Sequence, residues 1–592
     1  MEKSITRTKR NITIIGIGPR GGYALENFIL SLEGKTDLSK INLLLFEQTG
    51  NFGNGSVYET TQIESNWINI PERILLLEKR ATITFPKFEI PSFPSYHDWI
   101  ETDFEKKPKK HIDHYPPRAK IGRYLQQRFQ SIITPLVHNA IVTLIESQVE
   151  EVIVSETYDI SLKTDAKVYK NIDEILLTIG HQPTELSEQL LAWKKFASNK
   201  SNVTLFTSPY PIVNFLNHQN VTDKSIVGLR GFGLAMIDVA RAISMNFGEF
   251  TLEDSYTRKC SYQPNKEYSG KMIPFSLDGL PAVPKPLNAL MDDLFKPTET
   301  QLSDYTSLIG NPTTQKNASS PEFLLKAFAP IAAKIYLQLK TTFYNEKMSL
   351  EETENTIIQW LKDPEYKHAS ILPNNQPVKN IMQDFVAMAT GNKPISLDFC
   401  VGQVWRHCQP SMYTALSFNA CHEDVFAEII ALDESTKRYS YGPPVESIQQ
   451  MIALIEAGKI DTKFLSDPDF ELTDDGWNFH NKSHSETATI MINSVLDPPK
   501  IKVVKSPIIE NLLSSDLIQM VHDDLGIMTD EQAYVISENE DHFIPIALLG
   551  RLAKGTIIGV DAILECYGER PKNWAEKASN RHVEALRTND AT

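Results

Sequence analysis

The chain has 592 residues, 41% hydrophobic and 23% charged, which is enough for two or three cores and is the composition of a soluble globular protein. Its net charge of −16 repels phosphate-rich surfaces, so nucleic acid and an anionic membrane are excluded as main partners. No apolar run approaches the ~20 residues of a spanning helix, and the five cysteines contain no CxxC pair, the pattern of reduced thiols. Residues 1–10 are basic but lead straight into a strand without the apolar region of a leader. The expectation is a cytoplasmic protein whose partner is a small-molecule substrate.

Residues 11–15 form a β-branched run of the kind that makes a buried parallel strand. It runs into Gly16-Ile-Gly18-Pro19-Arg20-Gly21-Gly22, where Gly16 permits a tight turn, Gly18 lets backbone approach a pyrophosphate, and Gly21 lets the next helix pack on its strand. Leu25, Phe28, Ile29 and Leu32 then fall on one helical face, and Gly34 suits the helix end. A second strand, 41–46, ends on Glu47, where a dinucleotide fold places an acid for a ribose hydroxyl. An acid there disfavours a 2′-phosphate, so the first nucleotide is read as FAD or NAD. The alternative is a tight strand-to-helix turn that binds nothing.

The glycine-rich loop 50–58 reads either as a cover over the adenosine end or as a surface loop. Tyr115-Pro-Pro-Arg118 opens a helix whose Arg118 and Arg123 are candidates for phosphate or carboxylate. Strand-like segments at 140–149 and 152–160 precede a buried strand at 175–178 that stops at Gly180. Ligands of open α/β sheets sit at such strand ends, making Thr178 and Gly180 cofactor neighbours and His181 a candidate base. A second strand-turn-helix at 225–244 repeats the first two glycines as Gly231 and Gly233, with Met236 in place of the third. It is a candidate nicotinamide site, with Arg258 and Lys259 as 2′-phosphate partners by position.

Residues 286–475 read as a helical insertion. Helices are expected at 321–339, at 350–362 behind a near capping box at Ser349, and at 445–457 before Gly458. Trp360, Phe385, Trp405 and Tyr413 read as core, and Trp405-Arg-His-Cys408 has no second His/Cys cluster to complete a metal site. A shared nucleotide core needs a separate surface to choose its substrate, and the insertion is placed there. Late in the chain, a possible strand at 543–549 leads to Thr556-Ile-Ile-Gly559-Val-Asp561 and a short helical stretch.

The segments Gly16-Ile-Gly-Pro-Arg-Gly-Gly22, Gly53-Asn-Gly-Ser-Val-Tyr58, Tyr115-Pro-Pro-Arg118, Thr178-Ile-Gly-His181, Gly231-Phe-Gly-Leu-Ala-Met-Ile-Asp238 and residues 549–561 together resemble an FAD/NAD(P)-binding family. That family includes the flavin-dependent urate hydroxylases of the HpyO type and the nitrosuccinate-forming aspartate N-monooxygenases. The resemblance implies FAD as first nucleotide, with Gly16, Gly18, Arg20, Gly21 and Glu47 at its phosphates and ribose, and Gly559 and Asp561 near the ribityl chain and flavin. It also implies NAD(P)H as electron donor.

The expected fold is a doubly wound, Rossmann-like α/β FAD domain, discontinuous in sequence, with a second nucleotide-binding-like subdomain and a helical insertion. The expected division is 1–185 for the first part of the FAD domain, 186–285 for the second subdomain, 286–475 for the insertion and 476–592 for the part completing the FAD domain. The expected function is an FAD-dependent oxidoreductase or monooxygenase, since a flavin carries the chemistry without a nucleophilic triad. The alternative is a non-catalytic FAD-binding sensor with a degenerate second site. Urate hydroxylation, amino-acid N-oxygenation and simple reduction stay open, because Arg118, Arg230 and Arg406 are all available for a carboxylate.

Overall fold

The computed structural model describes residues 9–36, 38–343, 348–496, 499–537 and 542–590. Most of the basic N-terminal segment, residues 1–8, lies outside them. The first sheet runs in the order Val142–Ile145, Ile41–Phe46, Arg10–Ile15, Val168–Leu177, Ile160–Thr164, Val149–Val154. Ile546–Leu548 pairs parallel with the C-terminal half of Val168–Leu177, Ile546 opposite Ile175, so the end of the chain completes a sheet begun at its start.

Alternation within these apolar strands sends Leu43 and Leu45 to one face and Leu44 and Phe46 to the other. The first face packs on Phe28, Ile29 and Leu32 of the helix Pro19–Leu32 and on Trp574 of the helix Glu569–Asp590. The second packs on Ile508, Ile509 and Leu512 of the helix Pro507–Ser514. Cover on both faces is why these strands read as continuous apolar runs.

Where the sequence suggests two strands at 140–149 and 152–160, there are three: Val142–Ile145, Val149–Val154 and Ile160–Thr164. The hairpin between the last two turns through Tyr158 at φ +61°, tied by Ser155 and Asp159, and carries no Gly or Pro to announce it.

The second sheet is wholly parallel, in the order Thr204–Phe206, Ile490–Asn493, Ile226–Arg230, Lys271–Phe275. Ile490–Asn493 is buried throughout and lies between two neighbours there. The division at residue 476 therefore sets this strand on the wrong side, because its buried edges are paired in the second sheet and not in the first. The three antiparallel strands just before it add Trp477 and Phe479 to a core with Phe275 and Trp193.

The insertion is helical as read, with helices Glu322–Gln338, Leu350–Lys362 and Val445–Glu456 among others, and Ser349 and Glu352 form a complete capping box. Its core gathers Phe328, Phe385, Phe399 and Trp405 and is continuous with that of the second subdomain.

Candidate active site

The C-terminal ends of the first sheet's parallel strands converge on the first glycine turn. Gly16 has φ +90°, and a Cβ there would stand 2.6 Å from the Thr178 carbonyl oxygen. At Gly21 a Cβ would stand 2.7 Å from Thr178 Oγ1, and that hydroxyl donates to the Gly16 carbonyl. Thr178 thus bridges the turn from the neighbouring strand, its amide donating to Ile15 O at 2.8 Å. Pro19 is the first residue of the helix and Gly18 its N-cap, with no side chain occupying the helix end. The Gly22 amide is already inside the helix, donating to Gly18 O at 2.9 Å.

Glu47 is buried, and its carboxylate accepts from the Ile17 amide at 3.0 Å and from Thr49 Oγ1 at 2.8 Å. The acid therefore pins the glycine turn as well as standing where a ribose is expected. The loop 50–58 is a cover: the Gly53 amide donates to Ile17 O at 2.6 Å, and Gly55 lies across Gly18. Gly180, at φ +64°, has open space beside it, and His181 is exposed and off the cavity described next.

A cavity of about 860 Å³ opens beyond this turn, walled by Arg20, Gly550, Gly559 and Val560 on one side and by the insertion on the other. A Cβ on Gly550 would collide with Arg20 Nη1, and one on Gly559 would stand 2.9 Å from Cγ of Tyr413. Both glycines let backbone come flush with the cavity wall. Arg20 Nη2 donates to Val560 O at 3.3 Å, joining the first turn to the late segment. Asp561 is held by Lys437 at 2.7 Å, Arg551 at 3.1 Å and Lys554 at 3.3 Å. Burial alone would raise its pKa, but these cations hold it well below the usual carboxylate range. Its carboxylate is thus committed to locking the late segment onto the insertion.

Six basic side chains line the cavity: Arg20, Arg73, Lys285, Lys296, Arg406 and Arg570. Four carboxylates line it too, so its wall is formally positive although the chain is strongly negative. Asp292 collects Arg73 at 2.8 Å, Arg406, and His407 at 3.2 Å. Burial lowers the pKa of His407, with Asp292 opposing it. Glu565 accepts from the Ala562 amide at 2.7 Å, and burial pushes its pKa up to about 7. Burial holds Arg570 down at about 10, with Arg20 adding like-charge repulsion, and its Nε and Nη1 are buried without partners among the described residues.

Of the aromatics read as core, Trp405 is buried, its indole donating to Asp433 at 2.9 Å. Tyr413 differs: it lines the cavity, with its hydroxyl 3.1 Å from Asp433 and 3.4 Å from Tyr441. The 405–408 run divides by helical position. Trp405 and Cys408 face the core, while Arg406 and His407 face the cavity.

The second turn has the same start and a different surrounding. Gly231 has φ +108°, and its amide donates to Phe275 O at 2.7 Å. Gly233 is the N-cap of Leu234–Asn246, with nothing within 4 Å of a Cβ there. Met236 is buried in the core.

Of the other arginines, Arg118 lies between the two subdomains, 5.2 Å from the Tyr210 ring centre and 3.6 Å from Asp238. Arg123 is a surface residue 4.0 Å from Glu64. Arg230 reaches Asn493 at 2.9 Å. Arg258 is committed to Glu446, with Nε at 2.9 Å, and Lys259 pairs with Glu253 at 3.2 Å, so neither stands free for a 2′-phosphate.

Sequence reading missed Asp292, Tyr413, Glu565 and Arg570 as cavity residues. They come from three distant segments, around residues 292, 413 and 565–570, and no local spacing links the three.

Residues 13–182, which hold the first glycine turn and most strands of its sheet, match the model of a family described as FAD-NAD(P)-binding. An uncharacterized protein of Escherichia coli (strain K12), YdhS, is 22% identical over 254 residues, 41% of this chain and 41% of that protein. The matched region thus spans about two fifths of that relative's length. Among solved structures, L-lysine 6-monooxygenase from Pseudomonas syringae aligns over 97% of this chain and 99% of that one, at 10% identity and TM-score 0.47. The ornithine N-hydroxylase of Kutzneria sp. 744 aligns over the same shares at 9% identity and TM-score 0.45. No helix among the described residues is long and apolar enough to cross a membrane.

Proposed function

We propose that the protein is an FAD-dependent oxidoreductase, an NAD(P)H-using flavin monooxygenase that acts on a small polar substrate. The observation that carries this reading is one shared wall: the glycine turn 16–22 leads through Arg20, beside Gly550 and Gly559, into a cavity of about 860 Å³. The family match over residues 13–182 supports it.

The residues present fit the cofactor. Gly16, Gly18 and Gly21 leave a cradle that side chains would fill, and Arg570 keeps two buried donors without partners among the described residues, within the field of Arg20. These are donors an anionic cofactor would satisfy. In the proposal Gly18, Pro19, Arg20, Gly21 and Gly22 face the pyrophosphate, Glu47 the adenosine ribose, and Thr178 and Gly180 the strand ends beside it. Gly559 and the backbone around Asp561 border the flavin end. When bound, FAD supplies hydride acceptance and oxygen activation.

The protein's own groups do the rest. Gly231 and Gly233 offer an open helix N-terminus for the dinucleotide donor. Arg406, His407, Tyr413 and Tyr441 surround the substrate and keep bulk water away. His407 Nε2 lies 3.2 Å from Asp292, whose ionised carboxylate can only accept, so in the proposal His407 carries its proton there and serves as the cavity's base.

Acid release of the flavin from purified protein tests the assignment. The expected result is FAD in stoichiometric amount, and a protein that holds FMN, or no flavin after incubation with FAD, would overturn it.

A further inference from the structure

Lys285 has a place in the cavity that no role above uses. It lies in the extended segment 281–288, buried along its whole length, and is itself 7% exposed. Its Nζ donates to Asn69 O at 2.8 Å and to Gly442 O at 2.7 Å. Two of three ammonium hydrogens are thereby satisfied, and among the described residues no carboxylate forms an ion pair with it. The acid whose charge it feels, Asp292, is already shared by Arg73, Arg406 and His407.

A buried amine without a counter-charge is costly to ionise, and proteins keep such groups where a ligand supplies the missing charge. Arg406 is the second cation on this wall. It gives Nε to Gln403 and Nη2 to Asp292, which leaves Nη1 uncommitted among the described residues.

We propose that Lys285, with Arg406, is the cavity's receptor for a carboxylate of the substrate. This rests on the reading of the cavity as a substrate chamber. A carboxylate seated there gives Lys285 a third acceptor and a counter-charge of its own.

Burial, aided by Arg406, holds the Lys285 pKa well below the usual lysine range, with Asp292 opposing. The other charged groups facing this wall are Arg73, His407, Asp293 and Lys296, and His407 is itself shifted down. A carboxylate then binds with uptake of a proton. Its affinity falls as pH rises, approaching about tenfold per pH unit once the empty-state amine is neutral.

The test uses the purified full chain and malonate, with uncharged malonamide and matched sodium chloride as controls. Malonate is expected to raise the melting temperature where malonamide does not. Lys285→Met leaves the Asn69 and Gly442 carbonyls without their donor, so it is expected to melt somewhat lower than wild type without ligand and to lose the malonate shift. A malonate shift that persists in Lys285→Met, or an equal shift with malonamide, would overturn the proposal, as would no shift in wild type. If the variant does not fold, equilibrium dialysis of malonate against wild type decides: binding that does not weaken with rising pH overturns it. Neither readout uses flavin reduction, so failure here is separable from failure of the flavoprotein assignment.

Discussion

The two glycine turns begin alike and diverge within four residues. Both leave a parallel strand through a left-handed glycine, Gly16 at φ +90° and Gly231 at φ +108°, into a helix with no side-chain cap. The first is then closed in by Thr178, by the Gly53–Gly55 cover and by Arg20 reaching Val560. The second has Met236 where the first has Gly21, and open space beside Gly233. A closed turn suits a ligand that stays, and an open turn one that arrives and leaves. The same motif is thus tuned by what packs on it, a difference the glycines alone do not carry.

The largest break in this comparison is Gly21→Val. Its side chain meets Thr178 Oγ1 and the Gly16 carbonyl, so flavin retention is lost and stability falls by ~1–3 kcal/mol, read from flavin absorbance and urea unfolding. Glu174 gives the next effect, inside the first sheet, where it accepts from Tyr534 Oη at 2.7 Å. Burial pushes its folded pKa up to about 7, above the ordinary glutamate value of ~4.3. Its protonated form favours the fold, so that contribution is full below the unfolded pKa and lost as pH rises through about 7. Unfolding at about pH 5 and about pH 8 should show wild type losing on the order of 2 kcal/mol more than Glu174→Gln.

Gly233→Val sharpens the contrast from the other side. With open space around it the variant keeps stability and flavin, but it crowds the open turn and raises KM for the nicotinamide donor about tenfold in steady-state assays. The smallest effect belongs to Arg258→Ala. Because Arg258 is committed to Glu446, the NADPH-to-NADH preference should stay unchanged and stability should move by under ~1 kcal/mol.

What was legible in the sequence was local. The strand at residues 11–15, the turn, the helix Pro19–Leu32 and the strand Ile41–Phe46 announce themselves through β-branched runs, glycines and one helical face. The capping box at Ser349 and the stop at Gly458 are similarly self-contained. The cavity was not legible, because Asp292, Tyr413, Glu565 and Arg570 are brought to one cavity only by tertiary packing across nearly half the chain. Arg258 shows the converse. Its position after the second turn suggested a phosphate, and only its partner Glu446, 188 residues away, reveals a structural tie. The division at residue 476 separates Ile490–Asn493 from its sheet for the same reason, since an apolar run does not say which neighbours will bury it.

The most direct test of the account is the visible absorbance spectrum of the purified protein during anaerobic titration with NADH and NADPH. The account predicts a bound-flavin spectrum that bleaches with one of the two donors, showing both turns in use. A protein that stays colourless after incubation with FAD would contradict the assignment of residues 16–22, and a flavin that neither donor reduces, with or without added substrate, would contradict the oxidoreductase.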